Sequence, residues 1–285
     1  MNPYEKFVST IAALMQEAAL YPLGHFEPST LVSAPAEAPR VLLFSPHPDD
    51  ECLIGGLPLR LQRELKMRVI NVAVTQGSNR ERQEERYQEL TRACQYLGFG
   101  LIQIGDRGLE GINLSTRTQQ PEIWRQAVEQ IVSILQEQQP TAIFCPHDRD
   151  GNTTHIGTHY LVFDALQQMA TDFHCIMVET EYWQAMEDPN LMVESGVEDV
   201  ISFITALSFH AGEVRRNPYH IRLPAWMIDN VRRGSERVGG QGSTSAGFTF
   251  ATLYRLRRWQ AGQLHEFLPE GRVMAIPDDL SEFFV

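Results

Sequence analysis

His47-Pro48-Asp49-Asp50-Glu51 sets an imidazole and two neighbouring carboxylates just after the apolar run Val41-Leu42-Leu43-Phe44. Only Ser45 and Pro46 intervene, so the run reads as a buried strand ended by a turn. In open α/β sheets, ligands bind at such strand ends. His47 and Asp50 are three residues apart, so in a helical turn they share a face and can converge on one metal ion. Asp49 points elsewhere and is free to act as a base. A second polar cluster, His147-Asp148-Arg149-Asp150-Gly151-Asn152-Thr153-Thr154-His155-Ile156-Gly157-Thr158-His159, also follows a buried strand. In a parallel sheet both clusters lie at the same edge.

Two histidines and one carboxylate suit Zn²⁺ with a fourth position open to water. Another divalent ion such as Fe²⁺ is the alternative. His47 and Asp50 supply two ligands, and a histidine of the second cluster supplies the third. Bound zinc lowers the pKa of its water from about 15.7 to about 7. With Asp49 taking the proton, this is a metal-assisted hydrolase of an amide or ester. His147 to Asp150 reads equally well as a salt-bridged turn, and His159 as a satisfied histidine.

The elements that position these groups alternate. Residues 3–20 form an amphipathic opening helix through Phe7, Ile11, Leu14, Met15 and Ala18, and 21–38 a loop. Strands are expected at 41–45, 68–75, 101–104, 141–145 and 175–180. Helices are expected near 53–65, at 79–97 ended by Gly98, at 121–138 and at about 155–170. Residues 199–216 look helical, and Gly234 to Gly247 reads as a mobile or substrate-facing loop. Alternation of this kind predicts an α/β, Rossmann-like fold: a mostly parallel sheet with helices on both faces. The 285 residues suit a single domain. Residues 1–38 are a helix and loop packed on it, 39–215 the core, and 216–285 an extension expected to shape the substrate site; its Tyr219, Arg222, Trp226, Arg237 and Trp259 suit sugar stacking and hydroxyl recognition and equally suit packing or a subunit interface.

A formal charge of −12 argues against nucleic acid and anionic membranes as partners. No apolar run approaches the about 18 residues of a membrane span. Met1 to Leu20 holds Glu5 and Glu17 and only one basic residue, Lys6, which does not fit a signal peptide, so a cytoplasmic protein is expected. Self-association into a homo-oligomer is left open. Cys52, Cys94, Cys145 and Cys175 form no C-x-x-C and read as reduced, buried thiols.

The sequence resembles the PIG-L/LmbE-like family of zinc-dependent N-acetylglucosaminide deacetylases. Pro46 to Glu51 match its (A/P)-H-P-D-D-E signature. Thr75-Gln76-Gly77 with Arg86, Glu89, Ala93, Leu97 and Gly98 match its T-x-G and R-x-x-E-x-x-x-A-x-x-x-L-G segment. Asn152 to His155 align with H-x-D-H, and Ala206 to His210 with a weaker A-L-x-x-H. The resemblance spans roughly residues 40–215. It implies His47, Asp50 and His155 as metal ligands and Asp49 as general base. The family's oxyanion-stabilising histidine is Asn152 here, and its aspartate is Thr154. Asn152 can donate a hydrogen bond but not a proton, so Asn152, His147 or His210 takes that role. Arg80, Arg86 and His147 are candidates for substrate contact. The resemblance implies removal of an acetyl group from an N-acetylated amino sugar or its conjugate. The alternatives are an amidase for a larger acyl group and a metal-holding sugar binder without turnover.

Overall fold

The computed structural model describes residues 2–28 and 34–284. Among the described residues, nine strands form one sheet: β1 (Arg40–Ser45), β2 (Arg68–Ala73), β3 (Gly100–Gln103), β4 (Ala142–Pro146), β5 (Cys175–Thr180), β6 (Leu191–Glu194), β7 (Ala251–Gln260), β8 (Gln263–Glu266) and β9 (Arg272–Met274). The helices are α1 (Pro3–Ala18), α2 (Leu57–Glu64), α3 (Gln83–Leu97), α4 (Leu114–Gln119), α5 (Pro121–Gln138), α6 (Thr153–Leu166), α7 (Val197–Ser208), α8 (Ala211–Arg216), α9 (Leu223–Arg237) and α10 (Ser281–Phe284).

The strand order is β3-β2-β1-β4-β5-β7-β6-β9, with β8 paired to β7. The first five strands are parallel and β7 runs antiparallel to both neighbours. Successive strand residues feed opposite faces, as the pleat requires. Val41, Leu43, Ala142 and Phe144 pack with α2, α3 and α7. Leu42, Phe44, Ile143 and Cys145 pack with α5 and α6. Burial on both faces accounts for the unbroken apolar runs, and each buried Leu or Val contributes on the order of 1.5–3 kcal/mol. This is the expected Rossmann-like fold. The chain reverses direction across the sheet between β1 and β4, the two strands that deliver the polar clusters.

Several expectations need correction. α1 forms, but none of its residues is buried, and Phe7, Val8 and Ile11 face outward. The opening segment instead meets the domain after the helix: Gly24 N–H donates to Ser208 Oγ, and Phe26 packs on Phe209. Residues 29–33 of the expected loop lie outside the described residues. The expected helix 199–216 is broken at His210, whose ring is held by Glu51. Gly234 belongs to α9 rather than to a loop, because a side chain there would run into Met192 and Leu253. The ten-residue β7 escaped the periodicity reading. It carries Arg255 and Arg257 on one face, where both pair with Glu179 and Arg255 also pairs with Asp188 and Asp148.

Candidate metal centre and cavity

The end of β1 is pinned by the end of β2: Thr75 donates to the Pro46 carbonyl through Oγ1 at 2.7 Å and through its N–H at 3.2 Å. The chain then turns so sharply that Asp49 takes φ 113°, a left-handed conformation that costs a non-glycine residue on the order of 1–3 kcal/mol. Two contacts hold it there. Glu51 Oε2 accepts from Asp49 N–H at 2.9 Å, and the Tyr219 hydroxyl donates to Asp49 Oδ2. Asp50 folds back, and its Oδ2 accepts from His47 N–H at 2.8 Å.

His47 Nδ1, Asp50 Oδ2 and His155 Nε2 form a triangle with sides of 3.2, 3.3 and 3.5 Å. Ligands about 2.1 Å from a tetrahedral ion stand roughly 3.4 Å apart, so this donor set fits one zinc-sized cation. His155 and Asp50 are buried, and His47 opens to the cavity. Burial works against a charged Asp50, but His155 and His47 outweigh it and hold its carboxyl well below the usual range. Burial likewise opposes a cationic His155, while Asp50 and Asp150 draw its pKa up. The cluster therefore attracts positive charge.

Asp49 behaves differently from Asp50. Burial and the Asp50 charge push it up to about 6, against the pull of His210, Arg86 and the Tyr219 hydroxyl. A carboxylate in that range is suited to taking a proton near neutral pH.

Asn152 caps α6: its Oδ1 accepts from Thr154 N–H at 2.8 Å, leaving the amide NH₂ to donate. It lines the same cavity as His47, Asp49 and Asp50, with a volume of about 720 Å³. Arg80 and Arg86 also line it. Arg80 is exposed and paired with Glu110, and Arg86 donates to the Pro48 carbonyl at 3.0 Å. A second depression of about 690 Å³ lies at the opposite edge of β4 and β5 and contains none of these groups.

Two expected site residues lie elsewhere. His147 is buried behind the cavity wall, bonded through Nε2 to the Gln184 carbonyl at 2.9 Å, and does not face substrate. His210 is fully buried, with Nε2 2.7 Å from Glu51 Oε1, and does not line the cavity. It reaches Asp49 only through Glu51 and its charge. His159 is bonded to the Pro146 carbonyl at 2.9 Å and stacked on Phe163, so it is not a ligand.

Two contributors were missed. Asp150 Oδ1 lies 3.5 Å from His155 Nδ1 and is itself fixed by Asn152 N–H at 3.0 Å, while its Oδ2 accepts from Trp183 N–H at 3.1 Å. It stands where the carboxylate partner of a metal-binding histidine is needed, a role that Thr154 cannot fill. Asp150 lay inside the cluster already noted and could have been found there. Tyr219, which holds Asp49, lies 170 residues along the chain, beyond the reach of any local spacing.

Residues 42–166 match the sequence model of the PIG-L family, GlcNAc-PI de-N-acetylase. No curated protein is a detectable sequence relative of this chain. Solved structures share the fold. A conserved protein, TT1542, from Thermus thermophilus superposes with a TM-score of 0.57 at 15% identity, covering 81% of this chain and 98% of its own. The N,N'-diacetylchitobiose deacetylase of Pyrococcus horikoshii gives 0.55 at 14%, covering 90% and 93%. GalB, the 4-carboxy-2-hydroxymuconate hydratase of Pseudomonas putida KT2440, gives 0.55 at 14%, covering 76% and 95%. Over residues 42–166, less than half of its length, this chain is thus similar to the PIG-L family. A hydratase among its structural neighbours means that the reaction must be argued from the site. No helix among the described residues is long and apolar enough to cross a membrane.

Proposed function

We propose that this protein is a metal-dependent N-deacetylase that releases acetate from an N-acetylated amino sugar or its conjugate. The supporting observation is convergence: a metal-sized donor triangle, a carboxylate with a raised pKa and a free amide donor border one cavity. Zn²⁺ suits two imidazoles and one carboxylate, and a divalent ion held by His47, Asp50 and His155 supplies a Lewis acid and acidifies water.

The remaining steps belong to side chains. Asp49 Oδ2 is engaged by Tyr219, so Oδ1 is free to take the proton of the attacking water and pass it to the leaving amine. The Asn152 NH₂ donates to the oxyanion as the acetamide carbonyl becomes tetrahedral. Glu51 and Tyr219 keep Asp49 in its left-handed conformation, so the base does not reorganise during the reaction.

A sugar binder without turnover draws support from Asn152 and Thr154 standing where the family pattern has histidine and aspartate. Asp150 answers for the second of these changes. The test is acetate release by zinc-loaded protein from N-acetylglucosamine, N,N'-diacetylchitobiose and their N-butyryl counterparts. Release of acetate supports the deacetylase, and faster release of butyrate would favour the amidase for larger acyl groups. Saturable sugar binding with no acid released from any substrate would sink both.

A further inference from the structure

Away from His47, Asp49 and Asp50, the charged residues lining the cavity are Arg80, Arg82, Arg86, Arg216, Glu110 and Glu213. Four guanidinium groups against two carboxylates leave this wall with an excess charge of +2, in a chain whose formal charge is −12. Arg80 and Glu110 are exposed, close on each other at 2.6 Å, and cancel. The excess therefore lies with Arg82, Arg86 and Arg216.

Arg82 and Arg216 close on the single carboxylate of Glu213, and Arg86, bonded to the Pro48 carbonyl, lies within electrostatic reach of it. Arg82 Nη1 lies 2.9 Å from one of its oxygens and Arg216 Nη2 2.6 Å from the other. Burial works against the charge on Glu213, yet Arg216, Arg86 and Arg82 together hold its pKa down. The other carboxylate near Arg82, Glu85 at 3.8 Å, does not line the cavity. Asp49 is within electrostatic reach of Arg86 and Arg216 but is held by Tyr219. Tethering α8 to the start of α3 needs one arginine. The other two exceed that need, and the Arg216 side chain is 73% exposed. Arg82 and Arg86 lie within residues 42–166, whereas Glu213 and Arg216 are added from beyond that matched segment.

We propose that the Arg82–Arg86–Arg216 wall binds an anionic group, a carboxylate or a phosphate, carried by the substrate on a part remote from its acetamide. Planar guanidinium groups recognise both anions through paired N–H donors, and a cationic wall in an acidic protein steers such substrates to this cavity. The inference rests on the deacetylase reading for the remainder of the substrate.

The test compares zinc-loaded parent, Arg216→Glu and Arg82→Gln on neutral N-acetylglucosamine, N-acetylglucosamine 1-phosphate and the carboxylate N-acetylmuramic acid. In the parent, at least one anionic sugar should exceed the neutral one in kcat/KM by about tenfold or more, chiefly through KM. The better of the two identifies the anion. In both variants the loss on that sugar should exceed the loss on the neutral sugar by about tenfold. Equal kcat/KM on all three sugars, or equal losses on charged and neutral sugars, overturns the proposal. Calorimetric titration of the two anionic sugars into parent and Arg216→Glu needs no turnover. Binding that Arg216→Glu weakens, without hydrolysis of any sugar, would sink the deacetylase reading and sustain the anion site. Hydrolysis of all sugars alike would do the reverse. Arg216 is exposed, so its replacement tests the wall in a folded protein, as thermal melting would verify.

Discussion

Asp150 stands behind His155: its Oδ1 is 3.5 Å from His155 Nδ1, while His155 Nε2 faces Asp50 Oδ2 at 3.3 Å. The imidazole thus has a carboxylate beside each nitrogen: Asp150 makes an electrostatic contact with Nδ1 without a hydrogen bond, and Nε2 is presented to a cation. Asp150→Asn should weaken zinc affinity by about 10–100-fold, the usual effect of losing a ligand's carboxylate partner. His155→Ala should lose most of the bound metal. Competition against a zinc chelator measures both. Unchanged affinity in Asp150→Asn would mean that the pair is incidental.

Asp49 and Asp50 are adjacent but should fail in different ways. Asp49→Asn should retain metal and lose about 10²-fold or more in kcat, as loss of a general base does. In the parent, activity should rise with pH as Asp49 ionises. That limb lies at or below about 6, because a cation beside it favours the charged form further. Tyr219→Phe removes a hydrogen bond that stabilises the carboxylate, so the limb should move to higher pH. A limb that stays in place in Tyr219→Phe would detach Tyr219 from the base.

For Asn152, the readout is turnover against binding. Asn152→Ala should lower kcat by about 10²–10³-fold with little change in KM, as when one oxyanion donor is lost. The same substitution removes the cap of α6, so thermal melting must accompany the kinetics. A variant as active as the parent would confine Asn152 to capping.

The Glu51–His210 pair makes a prediction about stability. Burial opposes a charged His210, but Glu51 outweighs it and raises the folded pKa. The unfolded value is about 6.5, so both states are protonated below it and the full stabilisation is present there. It is lost as pH rises through the higher folded value. The stability difference between parent and His210→Gln should therefore be larger at pH 6 than at pH 9, by denaturant titration at each pH. An equal difference at both would mean that His210 is neutral throughout.

The parallel core was legible because its strands are buried on both faces and bounded by turn residues, as at Val41 to Pro46. In the donor triangle, His47 and Asp50 were legible because they follow β1 directly, and His155, on the first turn of α6, through the family motif. The last third resisted for a physical reason. Its central strand holds Arg255 and Arg257 largely away from solvent, where periodicity counts arginines as exposed, and their pairing with Glu179 depends on a strand far away in sequence. His210 was misplaced because an apolar helix bearing a histidine does not reveal which buried carboxylate it meets. Asp49 stands apart from the donor triangle, and its two restraints, Glu51 and Tyr219, needed the fold to appear.

The strand order also constrains how the chain completes itself. β6 joins the sheet through β7 and β9, not through β5, which precedes it in sequence. On a ribosome, residues 191–194 emerge long before their partner at 251–260. Until then β5 offers an open row of backbone donors and acceptors to any passing strand. The 42–166 segment ends before β5, so excising it would leave the β4 edge uncovered in the same way. A nascent or truncated chain lacking β7 carries a sticky sheet edge, and its aggregation during expression would reflect that missing cover rather than any defect at the metal centre.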